Sequence, residues 1–153
     1  MKLSDLLHKD LVFLGVNLAT KDEIFNFIAN ALAEKDFIQD KELVFDSLTE
    51  REKLMSTGIG DGLAIPHANL SGLGNIYIAV LSLEQPIEFQ AIDKNPVDIV
   101  IVVLADAKST GQHLKVLARI ARLHKTGSFM QMVRESGSAE ELIEKTASLE
   151  AVM

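Results

Sequence analysis

A histidine that directly follows a proline, after a run of spaced glycines, is the first feature of this chain with evident chemical potential. It closes the stretch Ser56-Thr57-Gly58-Ile59-Gly60-Asp61-Gly62-Leu63-Ala64-Ile65-Pro66-His67, which Arg51 precedes. A neutral imidazole nitrogen is a nucleophile near neutral pH, because the ordinary pKa is about 6.5. Attack on phosphorus would give a phosphoramidate of high transfer potential. Such a site needs a cation and neutral donors for the phosphoryl oxygens, and something that holds the imidazole in one tautomer. Arg51, Ser56, Thr57 and the backbone amides of Gly58 and Gly60 are the candidates for the first need. Pro66 fixes its own φ and pushes Ile65 toward extended geometry, so His67 is expected at the end of a stiffened strand. The competing reading is a surface turn with an incidental histidine. An upstream Arg and a Ser-Thr pair argue against it, since a turn alone requires neither.

The glycines do not form a nucleotide loop. Gly58, Gly60 and Gly62 lead into a strand, and no Gly-Lys-Ser/Thr follows, so both the P-loop and the dinucleotide patterns fail. His113 is the second histidine of interest. With Thr110 as N-cap it takes the third helical position, where the positive end of the helix dipole favours a bound anion by ~0.3–1 kcal/mol and disfavours imidazolium. His124 falls in the last turn of the same predicted helix, where it complements the dipole, and His8 has no comparable neighbours. A metal or hydrolytic site built from His67, His113 and either Asp61 or Asp106 is an alternative, but no short His-Glu-x-x-His spacing supports it.

Composition narrows the classes further. The chain has 153 residues, 48% hydrophobic and 24% charged, as expected of one globular domain spanning 1–153. Lys and Arg total 15 against 22 Asp and Glu, a formal balance of −7, which argues against a broad basic surface for nucleic acid. The absence of cysteine removes disulfides, thiolate metal sites and thiol nucleophiles. The longest apolar run, Ile99 to Ala105, is far short of the ~20 residues of a membrane span, and the N-terminus is unlike a signal peptide. No direct membrane insertion and a cytoplasmic location are therefore expected.

The elements that must position these residues fall into three blocks. Thr20-Lys21-Asp22-Glu23 is a capping-box pattern opening a helix over about 21–35, and a second helix is expected from Asp40 to near Glu52, with Arg51 in its last turn. The middle third reads as strands at 63–66, 76–83, 87–89 and 97–104, with 11–14 as an outer strand and turns at Gln85-Pro86 and Asn95-Pro96. A helix capped by Ser109 or Thr110 is expected to bury Leu114, Leu117, Ala118 and Ala121. Two shorter helices are expected to start at Ser128 and Ser138. Helices at both ends of a strand-rich middle imply an α/β or α+β domain, layered, with a mixed parallel and antiparallel sheet of about five strands flanked by helices.

Taken together, Arg51, Ser56-Thr57-Gly58-Ile59-Gly60, Leu63-Ala64-Ile65-Pro66-His67-Ala68 and Gln112-His113-Leu114-Lys115-Val116-Leu117-Ala118-Arg119 resemble the enzyme IIA domains of the fructose/mannitol/nitrogen class of the bacterial phosphoenolpyruvate-dependent phosphotransferase system. The likeness extends over nearly the whole chain. It implies that His67 takes a phosphoryl group from the phosphocarrier protein HPr, as a tele-phosphohistidine, and passes it to an enzyme IIB domain. It implies that His113 supports the phosphoryl group and that Arg51 balances its charge, with no metal or organic cofactor. IIB domains of the sugar systems usually accept the phosphate on cysteine. With no cysteine in this chain, the IIB partner is expected on a separate chain or beyond the ends of this one. The resemblance allows sugar uptake of the fructose or mannitol type. Sugar uptake is the leading expectation; the alternative is a regulatory role of the nitrogen class in which phosphorylation of His67 controls protein binding, and the resemblance does not name a sugar.

Overall fold

The computed structural model describes residues 1–153. After two 3-10 turns at Leu3–Asp5 and Lys9–Leu11, the chain runs β1 (Val12–Val16), α1 (Lys21–Glu34), α2 (Lys41–Leu54), β2 (Gly58–Gly60), β3 (Leu63–Ala64) and β4 (His67–Leu70). There follow β5 (Tyr77–Ile87), β6 (Val97–Asp106), α3 (Thr110–Lys125), α4 (Ser128–Glu135) and α5 (Ala139–Ala151).

Local signals set most helix starts. The Thr20 hydroxyl accepts from the Glu23 N–H at 3.2 Å, and the Glu23 carboxylate reaches back to the Ala19 N–H at 3.0 Å. Asp40 and Ser138 cap α2 and α5 in the same way, at 3.1 Å each. Ser128 departs from expectation: Gly127, at φ 78°, takes the cap position, and the Ser128 hydroxyl lies against Thr126 Oγ1 instead.

The sheet is mixed, as expected, with six strands in place of about five. Its order is β1-β5-β6-β3-β2, with β4 also paired to β6. β6 runs antiparallel to β5 and parallel to both β3 and β4, and the pairings Leu63–Ile99 through Leu70–Asp106 keep one register throughout. Residues 63–70 are therefore a single line of chain alongside β6, interrupted at Ile65-Pro66, where proline has no N–H to donate. The Pro66 carbonyl still accepts from Val103 at 2.9 Å. His67 thus opens a strand instead of closing one. The expected turn at Gln85-Pro86 is also absent. That pair lies inside β5, where the register with β6 shifts between Ser82 and Ile87, and such an irregularity accommodates a proline.

Helices cover both faces. Val100, Val102 and Leu104 point to a core with Ile24, Phe25, Ile28 and Leu32 of α1 and Val44 and Leu48 of α2. Ile99, Ile101 and Val103 point the other way, to Val116, Ile120 and Leu123 of α3, Phe129 and Val133 of α4 and Leu142 of α5. The alternation along β6 creates both cores at once, since successive side chains leave opposite faces.

The buried stripe of α3 is His113, Val116, Ile120 and Leu123, not the predicted Leu114, Leu117, Ala118 and Ala121. The helix is rotated by about one position from the expected setting. His113 is buried as a result, and Leu114 is 67% exposed. At the far end of the domain, the buried Glu150 carboxylate accepts from the N–H groups of Leu3 and Ser4 and from Arg119 Nε at 2.7–2.9 Å, tying the N-terminus, α3 and α5 together.

Candidate functional site

Three elements converge on a cavity of about 710 Å³: the C-terminal half of α2, the strand β4 and the first turns of α3. Arg51 comes from α2, His67 and Asn69 from β4, and Thr110 and His113 from α3. The structure thus brings together Arg51, His67 and His113, which lie far apart in sequence. The register of β4 explains part of this. Leu63 and Ile65 face the core under α3, and the pleat carries His67 and Asn69 onto that same side, where the apolar row gives way to polar residues.

The two imidazoles stand edge to face, with ring centroids 5.2 Å apart and planes at 74°. His67 Nδ1 is 2.8 Å from the carbonyl oxygen of Ile65. A carbonyl only accepts, so Nδ1 carries the proton and donates, and the Nε2 lone pair is left free. The Ile65 backbone is itself held by a hydrogen bond from its N–H to the Thr57 carbonyl at 3.0 Å. His67 is held below its ordinary pKa of 6.5, chiefly by burial; the Ile65 hydrogen bond opposes this, Arg51 adds to it, and Glu52 opposes it. The imidazole is therefore neutral and nucleophilic at pH 7.

His113 is 6% exposed and also held below 6.5, first by burial, then by His67 when that ring is protonated, and by the charge of Arg51. Its Nδ1 lies 2.5 Å from Asn69 Oδ1, and its Nε2 is buried with no hydrogen-bond partner. With Ser109 as the N-cap of α3, His113 is the fourth helical residue, not the third, and its N–H already donates to the Ser109 carbonyl at 3.1 Å. Its contribution comes from the ring, not from a free helix-end amide.

Arg51 is the cation lining the cavity. It sits in the last turn of α2, as expected, and one guanidinium nitrogen donates to the Met55 carbonyl at 3.0 Å. This leaves donors of the planar fork available for an anion.

The glycine loop has a different role. None of Ser56, Thr57, Gly58 and Gly60 lines the cavity. Ser56 Oγ donates to the Phe89 carbonyl at 2.7 Å and accepts from the Gly58 N–H at 3.1 Å. Thr57 donates to the buried Glu52 carboxylate through both its N–H, at 2.9 Å, and its hydroxyl, at 2.6 Å. Gly58 is small because a Cβ there would stand 2.8 Å from Ala91, and one at Gly62 would stand 2.7 Å from Asp98 Oδ1 and Arg134 Nη2. Close packing thus accounts for Gly58, whereas at Gly62 the atoms met are the tips of flexible side chains and its φ of +85° is what favours glycine.

The remaining candidates disperse. Asp61 Oδ2 is 3.8 Å from His124 Nε2, and Asp106 accepts from the N–H groups of Gly74 and Lys108, so neither carboxylate joins the paired histidines. No three His, Asp or Glu side chains are placed to hold a metal ion. Asn69 is the residue that sequence reasoning missed. The contact of Asn69 with His113 follows from its two-residue spacing from His67, which becomes meaningful only once residues 67–70 are known to be a strand.

A layered α/β domain whose paired histidines share a cavity with an arginine defines the class to which the comparisons with known proteins also point. Residues 5–147 match the family "Phosphoenolpyruvate-dependent sugar phosphotransferase system, EIIA 2", and the chain belongs to that family. It is 35% identical over 142 residues to a nitrogen regulatory protein of Pseudomonas aeruginosa, covering 93% of this chain and 92% of that one. Among solved structures, the nitrogen regulatory protein IIA-Ntr of Neisseria meningitidis superposes with a TM-score of 0.87 at 30% identity, over 94% of this chain and 98% of that one. The mannitol IIA enzyme of Escherichia coli, solved in complex with phosphorylated mannitol IIB, shares the fold with a TM-score of 0.75 at 21% identity, over 93% and 97%. No helix is long and apolar enough to cross a membrane.

Proposed function

We propose that the chain is a phosphoryl carrier in which His67 Nε2 is the acceptor atom. One observation carries this reading: the Ile65 carbonyl engages Nδ1, so the free nucleophilic nitrogen is Nε2, in a cavity that also holds Arg51 and His113. The Nε2 lone pair forms the N–P bond as the bond from phosphorus to the donor's nitrogen breaks. Arg51 balances the charge on the phosphoryl oxygens, and His113 Nε2 supports one of them. The product is the tele isomer of phosphohistidine.

The donor and acceptor are protein partners, phospho-HPr and a IIB domain, in the cytoplasm. Apolar side chains at the cavity mouth favour protein docking: Leu54 is 82% exposed and Leu114 67%. For the branch of the family, the names of the Pseudomonas aeruginosa and Neisseria meningitidis relatives, both at 30% identity or above, favour the regulatory reading over fructose or mannitol uptake. In that reading the added charge of about −1.5 to −2 on His67 alters which protein binds the apolar rim.

Incubation with enzyme I, HPr and labelled phosphoenolpyruvate is expected to give an acid-labile label. Rapid discharge of the labelled protein by a fructose- or mannitol-type IIB domain would favour transport. A stable label in the presence of those domains would favour regulation, and no label at all would refute the carrier reading.

A further inference from the structure

Asn69 has no role in the transfer outlined above, yet its amide is the sole hydrogen-bond partner of the buried His113 ring, 44 residues away in sequence. A side-chain amide has an accepting and a donating end, and turning it over exchanges the two with little change in shape. The Ile65 carbonyl that holds His67 lacks this freedom, because it can only accept.

We propose that Asn69 sets the tautomer of His113 and reverses it when His67 carries a phosphoryl group. In the resting protein Asn69 Oδ1 accepts from His113 Nδ1–H, which leaves a lone pair on the unpartnered Nε2. That lone pair would repel the oxygens of a phosphoryl group on His67, whose ring stands 5.2 Å away. On phosphorylation the amide turns over and its N–H donates to Nδ1. The Nδ1 proton leaves to solvent and Nε2 takes one up, so the ring stays neutral and the proton count balances. Nε2–H then donates to a phosphoryl oxygen and gains the partner it lacks. Onward transfer reverses the sequence. Asn69 acts through His113 and is a positioning residue.

In the resting protein the surroundings oppose charging of the ring. Although the charge of a phosphoryl group on His67 acts in the opposite sense, turning Asn69 over lets the neutral ring supply the Nε2–H which that group needs. His67 on β4 and Arg51 on α2 both oppose a second proton on His113. Asp46 and Glu50 of α2, which line the same cavity, act in the opposite sense, with Thr110 as the polar neighbour from α3.

The proposal rests on His67 as acceptor, and its test separates the two ideas. Long-range 1H–15N spectra of the histidine-labelled full chain report the tautomer of each ring, before and after treatment with phosphoramidate, which transfers its phosphoryl group to an imidazole nitrogen and releases ammonia. The wild type is expected to show Nδ1–H at His113 before treatment and Nε2–H after it. Asn69→Leu is expected to lose the resting preference and to slow transfer to a IIB domain about tenfold, the low end of what loss of an orienting partner costs at metal-binding histidines. Asn69→Asp can only accept, so its neutral His113 stays Nδ1–H after phosphorylation, and its transfer speeds up as pH falls from about 8 to about 6, when the ring can take a second proton.

An unchanged wild-type tautomer on phosphorylation would overturn the proposal. So would wild-type populations in a folded Asn69→Leu, or a neutral Nε2–H ring in phosphorylated Asn69→Asp. If Asn69→Leu does not fold, the Asn69→Asp spectrum decides. Failure of phosphoramidate to modify His67 would instead refute the carrier reading, and the resting tautomers of wild type and Asn69→Leu would still decide the role of Asn69.

Discussion

The loop Ser56–Gly60 and the histidine pair both contain the residue types that bind phosphate, but their polar groups are used in opposite ways. Ser56 and Thr57 direct their hydroxyls and N–H groups to Phe89, Gly58 and Glu52 within the fold. The pair keeps one nitrogen of each ring without a hydrogen bond: Nε2 of His67 in the cavity and Nε2 of His113 buried beside it. A satisfied polar group stabilises structure, whereas an unsatisfied one costs about 1–3 kcal/mol unless a ligand or water completes it. Under the proposed carrier role, the contrast assigns the loop to the scaffold and the pair to the reactive region. The loop still serves the site indirectly, because the Thr57 carbonyl accepts from the N–H of the residue whose own carbonyl orients His67.

The largest expected effect comes from His67→Ala, which should abolish the acid-labile label while leaving the thermal transition close to that of wild type. Full labelling of that variant would place the acceptor elsewhere. Arg51→Ala should slow transfer by about 10²-fold, the usual result of removing a group that stabilises developing charge. Because its one protein hydrogen bond is an exposed one to a carbonyl, stability should change little in denaturant titrations.

On the scaffold side the order reverses. Glu52→Ala removes the carboxylate that binds Thr57 twice and pairs with Lys21 Nζ at 2.9 Å, so it should lower unfolding stability by about 2–4 kcal/mol. Lys21 also sits 4.6 Å over the Phe89 ring. Labelling at low temperature should remain, and its loss in a folded Glu52→Ala would make the loop part of the reactive region. Ser56→Ala should cost about 1 kcal/mol and leave the transfer rate unchanged. A rate defect there would erase the distinction between the regions.

The smallest effect is on pH dependence. His67 and His113 are both held below 6.5 in the folded chain, so on acidification the unfolded chain takes up their protons first. Their contribution to stability is complete above the unfolded value and is lost as pH falls through the folded values. Urea titrations between about pH 7 and pH 5 should show a decline that is weaker in a His67→Ala, His113→Ala double variant.

Much of the fold was legible because its signals are local. The capping box at Thr20, the caps at Asp40 and Ser138, and the long apolar strand ending at Asp106 depend on residues a few positions apart. Misreadings arose where a distant partner decided. The rotation of α3 was set by the sheet beneath it, which buried His113 with Val116 and left Leu114 outside. Gln85-Pro86 became part of a strand because β6 pairs on both sides of the irregularity.

By itself the sequence determined the candidate acceptor residue and the stiffened backbone around Pro66, and its family resemblance set the expectation that a second histidine and Arg51 join His67. Those follow from residue identity and from a motif that covers most of the chain. Only the tertiary structure decided which nitrogen of His67 is free, which polar residues are already satisfied, and that Asn69 lies against His113. The reason is physical: a tautomer is set by the partner of the opposite ring nitrogen. For His113 that partner is brought close by the packing of β4 against α3, not by its place in the chain.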